Sequence, residues 1–175
     1  MRNIFIGFLL IFFNFSIDTD GSKIGLIPDF IGYISILRGA AEMVDKSDFF
    51  SNIKPYVTGM LIYSSVLYVF DLFGFTLSYP MFGYILGFIS TAISLFISYN
   101  IVMGINYIER TYSCFLNGIR LMSMWKLLAF VNIIAYLLMI IPLLALLTII
   151  AVFIINIFFL IEFNTSKNMY YGRFK

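Results

Sequence analysis

The sequence predicts an all-α fold: a polytopic transmembrane helix bundle of about six helices, the first two short, with a cytoplasmic amphipathic helix. Three observations carry the prediction. Leu127 to Ile161 is an uncharged apolar run of thirty-five residues, interrupted by Pro142 near its middle. As one helix it would be about 52 Å long against roughly 30 Å of hydrocarbon, so it must fold back once. Pro142 is the natural break, because its ring removes a donor and clashes with the preceding turn. Composition agrees, with 62% hydrophobic and 11% charged residues among 175; soluble domains have about 25% charged. The basic residues are also segregated. With six spans, ten of the eleven Lys and Arg fall on one side and only Lys23 on the other. By the positive-inside rule this places both termini in the cytoplasm.

The elements follow in order. Residues 3–17 form a first apolar segment behind Arg2, short for a full span. Without small residues at the usual cleavage positions, it reads as retained rather than as a signal peptide. Residues 28–44 open with Pro28 in the first helical turn and Asp29 beside it, a favourable helix start. Residues 55–73 and 81–104 have ordinary spanning length. In residues 105–123 a face of Ile105, Ile108, Tyr112, Phe115, Ile119 and Met122 opposes one of Asn106, Glu109, Arg110, Asn117 and Arg120. That pattern predicts an amphipathic helix along the headgroups, closed by Trp125 and Lys126. Residues 127–141 and 143–161 are the two halves of the long run, and turning at Pro142 holds Lys126 and Glu162 on the same side. A five-span arrangement with residues 18–54 wholly cytoplasmic fits the charges equally well. The whole of residues 1–175 reads as one transmembrane domain.

Several chemistries are missing from the sequence. Histidine is absent, which removes the commonest metal ligand and acid–base switch. Cys114 is the single cysteine, so no internal disulfide forms. No nucleophile triad, phosphate loop or dense acidic motif is present. We therefore expect no catalytic residue, no cofactor and no metal. A net charge of +2 gives no reason to expect nucleic acid. Asn14, Asn100, Asn132 and Asn156 are expected to hydrogen-bond between helices. Gly83 and Gly87, a GxxxG pair, and the heptad-spaced Gly25, Gly32 and Gly39 are expected to bring helices close.

Pro28-Asp29-Phe30-Ile31-Gly32-Tyr33, following an apolar segment and Asp18, resembles a pattern like I-D-x-L-P-D-F-I-G-Y. That pattern marks a group of uncharacterised small multispanning membrane proteins of low-GC Gram-positive bacteria. The likeness covers roughly residues 10–40, with Ile27 where Leu is commoner and a longer gap after Asp18. It implies a multi-pass protein of the bacterial cell membrane and no particular activity.

Three residues are candidates for ligand or partner contacts: Asp29, Arg38 and Glu42. Asp29 sits at a helix start, where the dipole favours it, and with Asp18 and Asp20 it can form an acidic mouth for a cation. Arg38 falls near mid-bilayer, where a charge costs about 3 kcal/mol on insertion scales. It can pair with Glu42 at i+4, snorkel to the headgroups, or meet an anionic ligand or partner helix. Three functions are compatible with this. The leading expectation is an interaction or accessory subunit that packs against another membrane protein. The second is a small-molecule transporter or its substrate-capturing subunit, similar in size and topology to the binding components of energy-coupling vitamin importers. Those carry an Ala-rich first helix, whereas residues 3–17 contain no alanine. The third is a lipid-acting enzyme, which requires Asp29 and Arg38 to face one cavity.

Overall fold

The computed structural model describes residues 1–13, 16–19, 22–25, 28–73, 80–138 and 141–174. Seven α-helices make up most of it: α1 (Arg2–Phe12), α2 (Asp29–Ala41), α3 (Asp48–Asn52), α4 (Lys54–Leu72), α5 (Pro80–Thr111), α6 (Gly118–Leu138) and α7 (Pro142–Arg173). Six of these are the expected helices, and α3, a single short turn of chain after Ser47, is additional. Four stretches are long and apolar enough to cross a membrane: Asp48–Phe70, Gly83–Thr111, Gly118–Leu138 and Leu144–Arg173. The protein is membrane-embedded. Most of the surface of these four is not covered by protein, as in Ile62, Phe130, Leu137 and Ile150, which are all exposed. Lipid is the solvent that suits such faces.

Among the described residues, neither helix of the short first pair reaches spanning length. With 11 and 13 residues, α1 and α2 are about 16 and 20 Å long, well under the hydrocarbon thickness. The helix expected over residues 3–17 stops at Phe12, and Ser16–Thr19 (β1) pairs antiparallel with Ser22–Gly25 (β2), Ser16 opposite Gly25. The reason is visible in the sequence. From Phe13 to Asp18 apolar and polar residues alternate strictly, a period of two that suits a strand and not a helix.

Close backbone approach joins α1 to α2. A Cβ on Gly7 would lie 2.7 Å from the Gly32 carbonyl oxygen, and one on Gly39 would lie 2.6 Å from the Ile4 nitrogen. Gly32 and Gly39 thus do what their spacing predicts. The GxxxG pair of α5 makes no such approach among the described residues of the chain: a Cβ on Gly83 would meet nothing within 4 Å, and one on Gly87 would meet the Tyr136 hydroxyl at 3.2 Å.

Phe8 of α1 then sets its ring edge-on against Phe159 and Phe163 of α7, with centroids 5.6 and 5.3 Å apart. Phe50, Ile53, Ile101, Ile105 and Ile108 are completely buried around them. The densest packing therefore lies at one end of the bundle, where α1, α4 and α6 begin and α2, α5 and α7 finish.

The amphipathic helix expected over residues 105–123 is broken. Its apolar face is real as far as Ile108, but α5 ends at Thr111. Ser113 takes φ 45°. The Cys114 N–H bonds the Glu109 carbonyl at 3.1 Å and the Ser113 N–H bonds that of Arg110 at 3.4 Å, a Schellman closure. Asn117 takes φ 63°, a conformation that Asn tolerates better than most residues. The Glu109 carboxylate accepts the N–H groups of Leu116 and Gly118 at 3.2 and 2.7 Å, satisfying the start of α6. A Cβ at Gly118 would lie 2.5 Å from Asn106 Oδ1 and 2.8 Å from Glu109 Oε2, so a larger residue would push aside the carboxylate that caps α6. Phe115 and Ile119, assigned to the apolar face, are instead exposed. Trp125 lies within α6 rather than closing a surface helix, and its Nε1 donates to Ser98 Oγ at 3.0 Å.

The break at Pro142 falls where the sequence puts it, with Ile141 capping α7 and proline at its first position. The return brings Glu162 beside the start of α6. It accepts from Asn117 Nδ2 at 2.7 Å and pairs with Arg120 at 2.9 Å.

Candidate functional site: a polar cavity inside the bundle

Away from the packed end, the centre of the bundle opens into a cavity of about 430 Å³. This is within the range of small-molecule sites. Its walls come from every long element. Phe12 ends α1, Pro28, Asp29 and Tyr33 come from the start of α2, and Tyr63, Ser64 and Tyr68 from α4. Ser90, Thr91, Ser94 and Ser98 come from α5, Asn132 from α6 and Asn156 from α7. The four positions on α5 recur at spacings of one, three and four, which sets them along one face of the helix. Eight hydroxyls, two amides and one carboxylate thus line this cavity, between helices whose outer faces are apolar.

The hydrogen bonds already made inside the walls fix what the cavity can offer. Ser64 donates to the Met60 carbonyl at 2.7 Å, Ser90 to Gly87 at 2.9 Å and Ser98 to Leu95 at 2.9 Å. Tyr63 donates to the Leu86 carbonyl at 3.0 Å. Each of these protons is committed to backbone, leaving oxygen lone pairs to face a ligand. Tyr33 and Ser94 bond each other at 2.7 Å, so one of their two protons stays available. Asn132 donates to the Leu128 carbonyl of its own helix at 2.8 Å. The Asn156 side chain makes no hydrogen bond among the described residues. Among the described lining residues Asp29 alone carries a charge. The cavity is therefore rich in acceptors, with an anionic wall. It suits a ligand that donates hydrogen bonds.

The three residues singled out in the sequence separate. Asp29 lines the cavity at the first position of α2, following Pro28 as the cap residue. Arg38 and Glu42 lie near the opposite end of that helix, and neither lines the cavity. Arg38 is exposed. Glu42 turns away from it: its carboxylate accepts from Asn3 Nδ2 at 2.5 Å and lies 4.0 Å from the Met1 amine. The i,i+4 pair is not formed.

The asparagines also behave differently from expectation. Asn100 and Asn132 bond carbonyls four residues back in their own helices, at 2.9 and 2.8 Å, rather than bridging helices. Asn14 and Asp20 lie outside the described residues. Among the described residues no group of three acidic or Cys side chains is placed to hold a metal.

What the sequence reading missed is the convergence of hydroxyls. A signal for it was present: Ser90, Thr91, Ser94 and Ser98 put four hydroxyls into nine residues of an apolar span. No protein family, curated protein or solved structure matches this chain.

Proposed function

We propose that the protein holds a small polar solute within the membrane, as a transporter or as the substrate-capturing subunit of one. The observation that carries this reading is the acceptor-rich cavity at the centre of the apolar bundle. Polar groups at membrane depth face the bundle interior or a water-filled space and mark solute pathways. The solute is neutral or cationic and donates hydrogen bonds, as a polyol or an amine does. Asp29 attracts it, Asn156 supplies the free amide, and the serines of α5 receive its protons.

The setting is a bacterial plasma membrane crossed several times. The basic end of the bundle, with Arg110, Arg120, Lys126, Lys167 and Arg173, faces the cytoplasm together with both termini. The lipid-enzyme alternative loses its premise, because Asp29 and Arg38 do not share a cavity. An accessory role beside another membrane protein is the competing reading. Native mass spectrometry of protein purified from its own membranes in mild detergent distinguishes the two. The proposal predicts a small polar adduct at one per chain, lost in the Asn156→Leu variant. Recovery of a defined protein partner with no such adduct would favour the accessory role.

A further inference from the structure

A second concavity, of about 400 Å³, lies between α5 and α6. Phe88, Phe96 and Tyr99 of α5 face Trp125, Ala129 and Ile133 of α6 across it. Phe88, Phe96 and Ile133 are exposed on the outside of two spanning helices, so the medium that reaches this groove is lipid. Trp125 and Tyr136 are its first and last positions on α6. Eleven residues of helix set them about 16 Å apart, close to half of the roughly 30 Å of hydrocarbon. The groove therefore has the length of an acyl chain from one leaflet. Its interfacial end is marked by residue type. The Tyr99 and Trp125 rings meet there with centroids 4.8 Å apart, and Lys126 follows Trp125. Tyr56, two residues after Lys54 at the start of α4, packs on Phe96 with centroids 4.7 Å apart. Tyr, Trp and Lys gathered at one depth are what a membrane–water interface favours.

Two basic side chains flank this mouth. Lys126 lies three residues before Ala129 and seven before Ile133, on one edge of the groove. On α5, Ala92, Phe96, Tyr99, Met103, Asn106 and Arg110 recur at spacings of four and three, so Arg110 continues the groove face toward the basic end. Both residues are exposed, and neither makes an ion pair among the described residues. The carboxylates of the α5–α6 turn are engaged elsewhere, Glu109 with the amides of Leu116 and Gly118 and Glu162 with Asn117 and Arg120. Helical side chains lean toward the N-terminus of their own helix. Arg110 thus leans back toward the groove and Lys126 out toward the basic end, so the two converge on the mouth. We propose that the α5–α6 groove binds an anionic phospholipid of the cytoplasmic leaflet. Its acyl chain lies along Phe96, Ala129 and Ile133, and its phosphate sits between Arg110 and Lys126. A basic residue near the membrane surface attracts an anionic headgroup and gives a neutral one no such advantage. This site uses neither Asp29 nor the polar cavity, so it stands or falls apart from the solute-holding reading.

Trp125 is the one tryptophan of the chain and lines the groove, so a bromine on an acyl chain seated there quenches its fluorescence. The protein is reconstituted in phosphatidylcholine vesicles containing a rising fraction of either dibrominated phosphatidylglycerol or dibrominated phosphatidylcholine. We expect the anionic lipid to quench at about tenfold lower mole fraction, equivalent to about 1.4 kcal/mol, and the preference to shrink in high salt. The double variant Arg110→Gln/Lys126→Gln should lose the preference while brominated phosphatidylcholine quenches it as before. Arg38→Gln, an exposed arginine of α2, should keep the preference. Ala129→Phe fills the groove and should lower quenching by both lipids. Thermal melts confirm folding, and Ala92→Phe on the facing wall takes its place if Ala129→Phe does not fold. Equal quenching of the wild type by the two lipids would overturn the proposal. So would a preference that survives in the double variant, or quenching undiminished in a folded groove-filling variant.

Discussion

Substituting Gly39 by alanine tests how closely α1 and α2 approach. The added Cβ would lie 2.5 Å from Ile4 Cγ1 and 2.6 Å from the Ile4 backbone nitrogen, where ordinary contact begins at 3.4 Å. A side-chain tip can swing aside, but a backbone nitrogen cannot. The helices must therefore part by close to the difference, about 0.8 Å, and Ile4, Phe8, Ile36 and Ala40 lose contact together. Overpacking of this kind costs about 1–3 kcal/mol, from which the helix preference of Ala over Gly recovers up to about 1 kcal/mol. The expected net loss is about 1–2 kcal/mol. At about 2–4 °C per kcal/mol for a chain of this size, Tm in detergent falls by about 2–8 °C. Gly7→Ala at the other end of the contact, 2.7 Å from the Gly32 carbonyl, behaves alike. The double variant loses less than the sum, because helices already parted leave room for the second methyl. Gly59→Ala is the control, since its Cβ meets nothing within 4 Å, and it leaves Tm unchanged or raised. If Gly39→Ala and Gly7→Ala melt with Gly59→Ala, the close-packed hairpin is refuted.

Three further outcomes are expected. Replacing Glu162 with Ala removes the acceptor of both Asn117 and Arg120 from a site only 12% exposed, and it costs about 1–3 kcal/mol. Arg120→Ala costs under about 1 kcal/mol, because the arginine is 69% exposed and screened; chemical denaturation giving the reverse order would contradict the geometry. Burial pushes the Cys114 thiol above its ordinary pKa of 9.0, with the Glu109 charge adding to the effect. Less thiolate is then present at pH 7 than for a free thiol, so maleimide reacts slowly and accelerates as pH rises through 9; a rate equal to that of free cysteine would refute this. Asp29→Asn removes the negative wall and is expected to cut retention of a cationic solute while sparing a neutral one, read by equilibrium dialysis with an amine and its uncharged analogue.

Much of the fold was legible because membrane insertion imposes a coarse rule. Length and apolarity pick out spans, and Pro142 cannot continue a helix, so α4 to α7 follow from the sequence. The failures came where a local signal competed with hydropathy. The alternation from Phe13 to Asp18 is a strand pattern inside an apolar segment. The Asn117-Gly118 dipeptide is a break inside an apparent amphipathic face. Gly118 also serves a purpose that no linear pattern shows, leaving room for the Glu109 carboxylate. The cavity was harder to foresee. Asp29 was singled out, yet its neighbours Tyr33, Ser64, Ser94 and Asn156 come from four different helices. Each alone reads as a satisfied polar residue in a span. Only the packing of α1 and α2 at one end, with the bundle open above it, makes them a single surface.

The central claim is that a polar cavity reachable by small cations lies inside this apolar bundle. Its most direct test uses the Ser94→Cys variant in a Cys114→Ser background, reconstituted in vesicles and exposed to small cationic or anionic methanethiosulfonates. With Asp29 in the wall and no basic residue among the described lining residues, the cationic reagent should modify the introduced thiol severalfold faster than the anionic one, and Asp29→Asn should narrow the gap. A thiol at position 94 that neither reagent reaches would mean a closed, dry bundle and would contradict the account.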